Sequence, residues 1–172
     1  LATSNVPENK KLIKHAKVMG IETFSGSDEN VLERYYKTSN IYKSNNIVRI
    51  TGDCPMVDPC MIDEMISLFE IENYDYLSNT LKPSYPDGFD VEIFKRKTLK
   101  KCFLESKTSF EKEHVTPYMK KGGIFKIKNF SIENDYSHLR VTLDEEDDLV
   151  VIKNVFNEFY PEIYFSFLDV IK

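Results

Sequence analysis

Apolar positions along the chain recur either at helical spacing or in short continuous runs. Between residues 9 and 19, Leu12, Ile13 and Ala16 fall on one face and lysines on the other, which predicts an amphipathic helix ending at Gly20. The same spacing predicts helices over residues 28–43, from Pro59 onward, and over 96–104, 109–120 and 147–159. Short apolar or alternating runs predict strands over residues 21–24, 46–51, 74–78, 89–94, 125–130 and 139–143. Residues 1–3 resemble the end of another strand.

Strands and helices alternate along the chain, which indicates an α/β layered domain around a mixed, mostly parallel sheet. Neither an internal repeat nor a Gly/Ser-rich linker divides the sequence, so we expect a single domain over residues 1–172. In folds of this class, ligands bind beyond the carboxyl ends of the strands. The residues directly after each predicted strand are therefore the candidates for a functional site.

Asp53 follows one of these strands, after Gly52. A carboxylate beyond a buried strand suits Mg²⁺, which prefers one or two carboxylates together with substrate phosphates, and a glycine lets the backbone approach a ligand. An alternative of equal weight is that Asp53 merely caps the next helix or turn. Asp58, directly before Pro59, is the better helix cap, and this favours a functional role for Asp53.

Five consecutive acidic residues, 144–148, follow the predicted strand 139–143. The helix dipole favours each negative charge in a first turn by about 0.3–1 kcal/mol, so most of this run is expected to be a solvated helix start. Asp144 is nearest to the strand end. It is the member of the run best placed to share a cleft with Asp53.

Two polar loops are further candidates. Residues 85–92 are either a plain turn or a substrate loop, in which Gly88 allows close approach and Asp90 or Glu92 accepts hydrogen bonds from hydroxyl groups. Residues 113–118 contain His114, and a lone histidine is more often structural than catalytic. No serine or cysteine nucleophile arrangement accompanies it, and the histidines and cysteines lack zinc-ligand spacing.

Composition narrows the classes of function. The 172 residues carry a net charge of −5, with 41% hydrophobic and 30% charged residues, which is typical of a globular domain and too apolar for disorder. An acidic chain is a poor nucleic-acid binder, because phosphate contacts need a basic surface. No apolar run approaches the ~20 residues of a membrane helix. Three cysteines, Cys54, Cys60 and Cys102, fit a reducing cytoplasm better than a disulfide framework.

An ordered series of motifs resembles the cytidylyltransferase family of spore coat polysaccharide biosynthesis proteins, which is related to CMP-KDO synthetase and acylneuraminate cytidylyltransferase. The resemblance extends from Leu1 to about Phe159. Each motif is weak alone, and the set is specific because of its order. The motifs are Ala2-Thr3-Ser4, Ser25-Gly26-Ser27 before 31–35, 49–55, Ser78-Asn79-Thr80, 85–92, 113–118 and 139–144.

The resemblance implies a nucleotide-diphospho-sugar transferase fold of the glycosyltransferase-A type. It also implies a reaction in which CTP and an acidic sugar, a ulosonic or nonulosonic acid, give a CMP-sugar and pyrophosphate with the help of Mg²⁺, for surface polysaccharide synthesis. By the same resemblance, Asp53 and Asp144 hold the metal and carry catalysis. Ala2, Thr3, Ser4 and Gly52 correspond to nucleotide-binding positions. The substrate-binding positions are Arg49, Asn79, Tyr85, Asp87, Gly88, Asp90, Glu92, Glu113 and His114.

The chain departs from the family at its start. The family begins with a strand and a basic, glycine-containing loop, R-x-G-S-x-R-L-P-G-K, that cradles the CTP phosphates, and this loop is absent from the sequence. We therefore expect a domain truncated at the N-terminus and also at the C-terminus, with the metal and sugar sides of the site retained. Two other functions stay open: a nucleotidyltransferase using another nucleoside triphosphate and a sugar phosphate, and a non-catalytic binding fragment. A homodimer also stays open.

Overall fold

A computed structural model describes residues 1–172. The strands are β1 (Ala2–Ser4), β2 (Phe24–Gly26), β3 (Asn46–Arg49), β4 (Tyr76–Ser78), β5 (Glu92–Lys95) and β6 (Ile127–Asn129). The helices are α1 (Lys10–Val18), α2 (Val31–Tyr42), α3 (Pro59–Glu72), α4 (Arg96–Glu105), α5 (Ser109–His114), α6 (Glu146–Phe159) and α7 (Phe167–Val170). A 3₁₀ turn at Pro7–Asn9 precedes α1. No helix has both the length and the apolar character needed to cross a bilayer.

The chain forms two compact units, each built from two segments. The first unit contains residues 1–47 and 94–125, and the second contains residues 48–93 and 126–172. The chain passes from one unit to the other within β3 and again within β5. No linker composition marks these points, so the sequence alone does not indicate the division.

In the first unit, β1 and β2 pair in parallel, with Ala2 opposite Phe24 and Ser4 opposite Gly26. Helix α2 packs against α4 and α5 and buries Leu32, which is 1% exposed. The Tyr36 ring of α2 stacks on Phe103 of α4, with 4.5 Å between the ring centroids. These contacts fix the positions of α2 and α4 relative to each other.

The second unit contains the larger hydrophobic core. The four-stranded sheet has the order β3-β5-β4-β6, and β4 and β6 pair in parallel. Helix α3 turns Met61, Met65 and Phe69 inward at the predicted helical spacing, where they pack with Leu77 of β4 and Ile93 of β5. Each of these side chains contributes roughly 1.5–3 kcal/mol by leaving water. The mixed α/β architecture predicted from the sequence is thus confirmed.

Two predicted elements are wrong. Residues 139–143 form no strand; only an isolated bridge joins Arg140 to Asp87, because this extended segment pairs with a loop. The predicted helix over 109–120 ends at His114, since Val115 has a φ of +69° and Pro117 follows two residues later. Hydrophobic alternation or helical spacing indicates that one face of a segment is buried. These two segments bury one face without forming a regular strand or helix.

Helix caps are partly as predicted. Asp58 caps α3, accepting hydrogen bonds from the backbone N–H of Cys60 at 2.8 Å and of Met61 at 3.4 Å. Helix α2 starts later than expected, because Asn30 is its cap and accepts from Glu33 N–H at 3.0 Å. Ser27 Oγ accepts a hydrogen bond from the backbone N–H of Asn30 at 3.0 Å.

Candidate active site

Asp53 lies in the loop that follows β3. Its carbonyl oxygen accepts a 2.8 Å hydrogen bond from the backbone N–H of Leu143, the residue before Asp144. Since Asp58 caps α3, the alternative that Asp53 caps this helix is not realised. The backbone of the second unit therefore brings together the two loops that carry Asp53 and Asp144.

The acidic run after residue 143 divides into distinct roles. Glu145 is the N-cap of α6, and Asp148 completes a capping box by accepting from the N–H groups of Asp144 and Glu145 at 2.9 and 2.8 Å. Arg140 donates to both carboxylate oxygens of Asp148, at 2.9 and 2.8 Å. The Arg140 hydrogen bonds and these backbone donors hold the pKa of Asp148 well below its ordinary value. Asp148 is thus a fixed anion that orients the start of α6.

Asp144 is held on one oxygen. Its Oδ2 accepts from Arg140 Nη2 at 2.9 Å and from Thr142 Oγ1 at 3.0 Å. Its side chain is 53% exposed, in contrast to 16% for Asp148. Because both of these hydrogen bonds involve Oδ2, Oδ1 is the oxygen available to a ligand. Asp144 is therefore oriented by the protein and accessible from solvent.

The donor set near Asp53 and Asp144 fits Mg²⁺ better than a softer metal. No group of three or more His, Cys, Asp or Glu side chains in the chain is arranged to hold a metal ion by itself. Mg²⁺ commonly binds to one or two carboxylates and takes its other ligands from water and substrate phosphates. Two carboxylates on adjoining loops meet that requirement, and zinc-type nitrogen or sulfur ligands are not grouped there.

Cys54 adjoins this site and is not a nucleophile. Its Sγ lies 3.4 Å from Thr51 Oγ1 and 3.9 Å from Asp53 Oδ1. Burial raises the pKa of the Cys54 thiol to about 11, so it stays protonated at neutral pH. The charges of Asp53 and Asp90 also raise this pKa.

A cavity of about 350 Å³ in the second unit brings together four of the predicted substrate-binding residues. These are Asn79, Tyr85, Asp87 and Asp90. Thr80, Pro83 and Ser137 also line it. Thr80 belongs to a recognised motif, whereas Ser137 lies in a loop without a sequence signal. The burial of Tyr85 raises its pKa to about 12, so the phenol is neutral.

Gly88 shapes the wall of this cavity by close backbone approach. It has a φ of +108°, and a Cβ there would lie 2.7 Å from the carbonyl carbon of Val141. On one side of it, Asp87 N–H donates to Leu139 O at 3.0 Å, and Asp87 O accepts from Val141 N–H at 2.8 Å. Only glycine fits without displacing backbone. These backbone hydrogen bonds position the exposed Asp87 side chain at the cavity.

Three predicted substrate residues, Asn79, Glu92 and Arg49, bind other protein groups. Asn79, 2% exposed, accepts from Val91 N–H at 2.9 Å and donates to Phe89 O at 2.7 Å, which fixes the backbone entering β5. Glu92, 4% exposed, accepts from Arg49 on one oxygen and from the Tyr76 hydroxyl on the other, each at 2.5 Å. These contacts give Asn79 and Glu92 positioning roles in the sheet.

The remaining predicted residues are distributed over both units. Gly52 is exposed in the second unit, whereas Ala2, Thr3 and Ser4 form β1 in the first. Ser4 Oγ accepts from Asn9 Nδ2 at 2.6 Å.

Glu113 and His114 lie exposed at the end of α5, also in the first unit. The His114 ring lies against Phe110, with 4.4 Å between the ring centroids. The substrate-binding roles of these two residues stay predictions.

Helix α5 also contains a buried carboxylate, Glu111, which the sequence reasoning missed. It is 6% exposed, binds Lys121 at 2.5 Å and accepts from the N–H groups of Lys107 and Thr108. These hydrogen bonds, led by that of Lys121, lower the pKa of Glu111 to about 2. The spacing of Thr108 and Glu111 is that of a capping box, a signal available in the sequence.

Comparisons with known proteins agree on one family. A family model described as cytidylyltransferase matches residues 1–158. An uncharacterised protein of Methanocaldococcus jannaschii is 33% identical over 119 residues, which are 69% of this chain and 48% of that protein. The spore coat polysaccharide biosynthesis protein SpsF of Bacillus subtilis is 28% identical over 162 residues, 92% of this chain and 66% of SpsF.

A solved structure has the same fold. A cytidylyltransferase from Leptospira borgpetersenii superposes with a TM-score of 0.93 at 30% identity, over 98% of this chain and 71% of that chain. This likeness confirms the predicted nucleotide-sugar-transferase-like fold. The chain spans 48% and 66% of the lengths of the two curated relatives.

Proposed function

Because the chain belongs to the cytidylyltransferase family, we propose that it acts as a nucleotidyltransferase that uses CTP to activate an acidic sugar. The products are a CMP-sugar and pyrophosphate. The observation that carries this proposal is the hydrogen bond between Leu143 N–H and Asp53 O, which sets two carboxylate-bearing loops side by side. Nucleotidyl transfer depends on positioning and charge neutralisation and needs no protein nucleophile, in keeping with a protonated Cys54.

In the proposed reaction, a hydroxyl oxygen of the sugar forms a bond to the α-phosphorus of CTP. The bond between that phosphorus and the oxygen of the leaving pyrophosphate breaks, and the hydroxyl proton is released to water. Asp53 and Asp144 would hold Mg²⁺, which when bound offsets negative charge on the phosphates. Arg140 and Thr142 orient Asp144 for this role through its Oδ2.

The sugar is proposed to occupy the cavity lined by Asn79, Tyr85, Asp87 and Asp90. Its two aspartates are acceptors suited to sugar hydroxyls, and the carboxylate of an acidic sugar would face away from them because like charges repel. The neutral Tyr85 phenol offers a further donor and an apolar ring.

The proposals that the substrate is an acidic sugar and that the product serves surface polysaccharide synthesis have less direct support. They follow from the resembled motifs and from the name of the B. subtilis relative, at 28% identity. We place the reaction in the cytoplasm, where nucleoside triphosphates are available.

The test is a pyrophosphate-release assay on protein expressed from the complete open reading frame. CTP, UTP, dTTP and ATP are each offered with Mg²⁺ and a panel of ulosonic and nonulosonic acids, with sugar 1-phosphates as a second panel. Turnover with CTP and one acidic sugar is expected. Turnover with UTP or dTTP and a sugar phosphate would replace the proposal by a different nucleotidyltransferase, and no turnover with any pair would favour a binding protein.

A further inference from the structure

A basic cavity in the first unit belongs to no part of the site described above. Its volume is about 580 Å³, within the range of small-molecule sites. Four cationic side chains, three asparagines and one tyrosine line it, and none of the lining residues is acidic. We propose that this cavity binds a small phosphorylated molecule, with its phosphate group held by Arg96 and Lys100.

The walls of the cavity are fixed before any ligand binds. Arg96 N–H donates a 2.8 Å hydrogen bond to Asn45 O, which ties the start of α4 to the residue before β3. On the other side, Tyr36 stacks on Phe103 with an interplanar angle of 13°, which holds α2 against α4. A preformed cavity loses little conformational entropy when a ligand enters.

The facing helices present their lining residues at one-turn spacing. Tyr36 and Asn40 are four residues apart on α2, and Arg96 and Lys100 are four residues apart on α4, so each pair shares one helix face. The planar Arg96 guanidinium can bind two phosphate oxygens at once, and Lys100 adds a compact charge beside it. Asn40 opposite them offers both a donor and an acceptor for a hydroxyl group of the ligand.

Cationic side chains are concentrated at the start of α4, where they line the cavity. Lys95, Arg96 and Lys97 occupy the N-cap and first turn of α4, and this first turn contains no acidic residue. The N-terminus of a helix is its positive end, where cations are destabilising. Helix α6 shows the usual arrangement, with three acidic residues in its first turn. A phosphate dianion in the cavity would offset this concentration of positive charge.

This site is separate from the pair of carboxylates. Asn46, which lines the cavity, begins β3, whereas Asp53 lies beyond the end of that strand. No residue of the cavity takes part in the proposed nucleotidyl transfer. The inference therefore does not rest on the proposed function, and binding is measured without turnover.

The test is calorimetric titration of the purified protein with two probes, inorganic phosphate and ribose 5-phosphate, at ionic strength held constant with NaCl. Saturable binding of both is expected, with ribose 5-phosphate the tighter because the asparagine amides contact its hydroxyls. The double variant Arg96→Gln/Lys100→Gln should weaken binding at least about tenfold, since hydrogen bonds to charged groups are the strong ones.

The matched control is Lys10→Gln/Lys14→Gln, which removes the same two charges from the exposed face of α1 in the same unit. This control should bind both probes as the wild type does. If both double variants weakened binding equally, the loss would come from the overall positive charge of the unit and not from the cavity. That result would overturn the proposal.

Two other results would also overturn it. One is the absence of saturable binding of either probe, and the other is binding of inorganic phosphate with exclusion of ribose 5-phosphate. Circular dichroism melting checks that each variant folds. If the double variant does not fold, Lys100→Gln alone repeats the test, and a smaller loss of binding is expected.

Discussion

The backbone N–H of Leu143 binds the carbonyl oxygen of Asp53 at 2.8 Å, although the two residues are far apart in the sequence. Neither side chain takes part in this bond. The Asp53 and Asp144 carboxyl groups can therefore be changed without removing the contact that brings their loops together. This separation between backbone support and side-chain chemistry makes the proposed metal site testable by conservative substitution.

Asp53→Asn should abolish most Mg²⁺-dependent turnover while leaving the fold nearly intact. The amide removes the charge that would face the metal, and a loss of at least about a hundredfold in kcat/KM is expected from the loss of that electrostatic contribution. Steady-state kinetics over a range of Mg²⁺ concentrations measures it, with urea denaturation as the check on stability. Unchanged turnover would show that Asp53 has only a local role in its loop.

Asp144→Asn should act in the same direction, and Glu146→Gln is its matched control within the acidic run. Glu146 is exposed at the start of α6, whereas Asp144 is oriented by Arg140 and Thr142. Metal-dependent activity should fall strongly for Asp144→Asn and change less than about twofold for Glu146→Gln. Comparable losses in the two variants would contradict the separate roles assigned to them.

The parts of this site that follow from local signals could be predicted from the sequence. Asp58 before Pro59 identified the cap of α3, so Asp53 does not cap this helix. Asp144 was distinguished from the rest of the acidic run as the residue nearest to the end of a predicted strand, and the structure places it instead in the loop before α6. Such features depend on a few neighbouring residues, so spacing and residue type are enough to find them.

Features that depend on distant partners could not be predicted in this way. Asp148 was assigned to a solvated helix start, but it binds Arg140 through both oxygens. The predicted strand 139–143 is an extended segment paired with the loop at Asp87, and alternation of apolar residues does not distinguish the two. Glu92 belonged to a motif, yet its partners Arg49 and Tyr76 come from other parts of the chain.

Gly88→Ala should destabilise the protein by about 2 kcal/mol or more. The substitution places a Cβ 2.7 Å from the Val141 carbonyl carbon at a φ of +108°, so both backbone strain and a steric clash oppose it. Gly122→Ala is the control, because a Cβ there meets no atom within 4 Å. Urea denaturation should show a change within about 0.5 kcal/mol for the control. Equal stability of the two variants would mean that the 85–88 loop adjusts freely.

Glu92→Gln should reduce stability rather than substrate affinity. The substitution breaks the buried ion pair between Arg49 and Glu92, at a cost of about 3 kcal/mol. Asp87→Asn is the companion variant, since its exposed carboxylate lines the cavity while its backbone makes the pairing contacts. That variant should keep its stability and raise the KM for the sugar. A raised KM with unchanged stability for Glu92→Gln would instead support the substrate role that the motif suggested.

Glu111→Gln should change the acid dependence of stability. Lys121 and two backbone N–H groups lower the pKa of Glu111 to about 2 from the ordinary 4.5, so folding favours its charged form. That contribution is present above pH 4.5 and is lost as the pH falls from 4.5 to 2.

At pH 7 the variant should be less stable than the wild type by roughly 1 kcal/mol, a modest value because Lys121 is half exposed. Urea denaturation at a series of pH values should show this difference shrinking toward zero near pH 2. Glu113→Gln, an exposed change on the same helix, should follow the wild type at every pH. A difference between Glu111→Gln and wild type that is constant with pH would show that Glu111 acts through packing and its cap, because neither of these needs the charge.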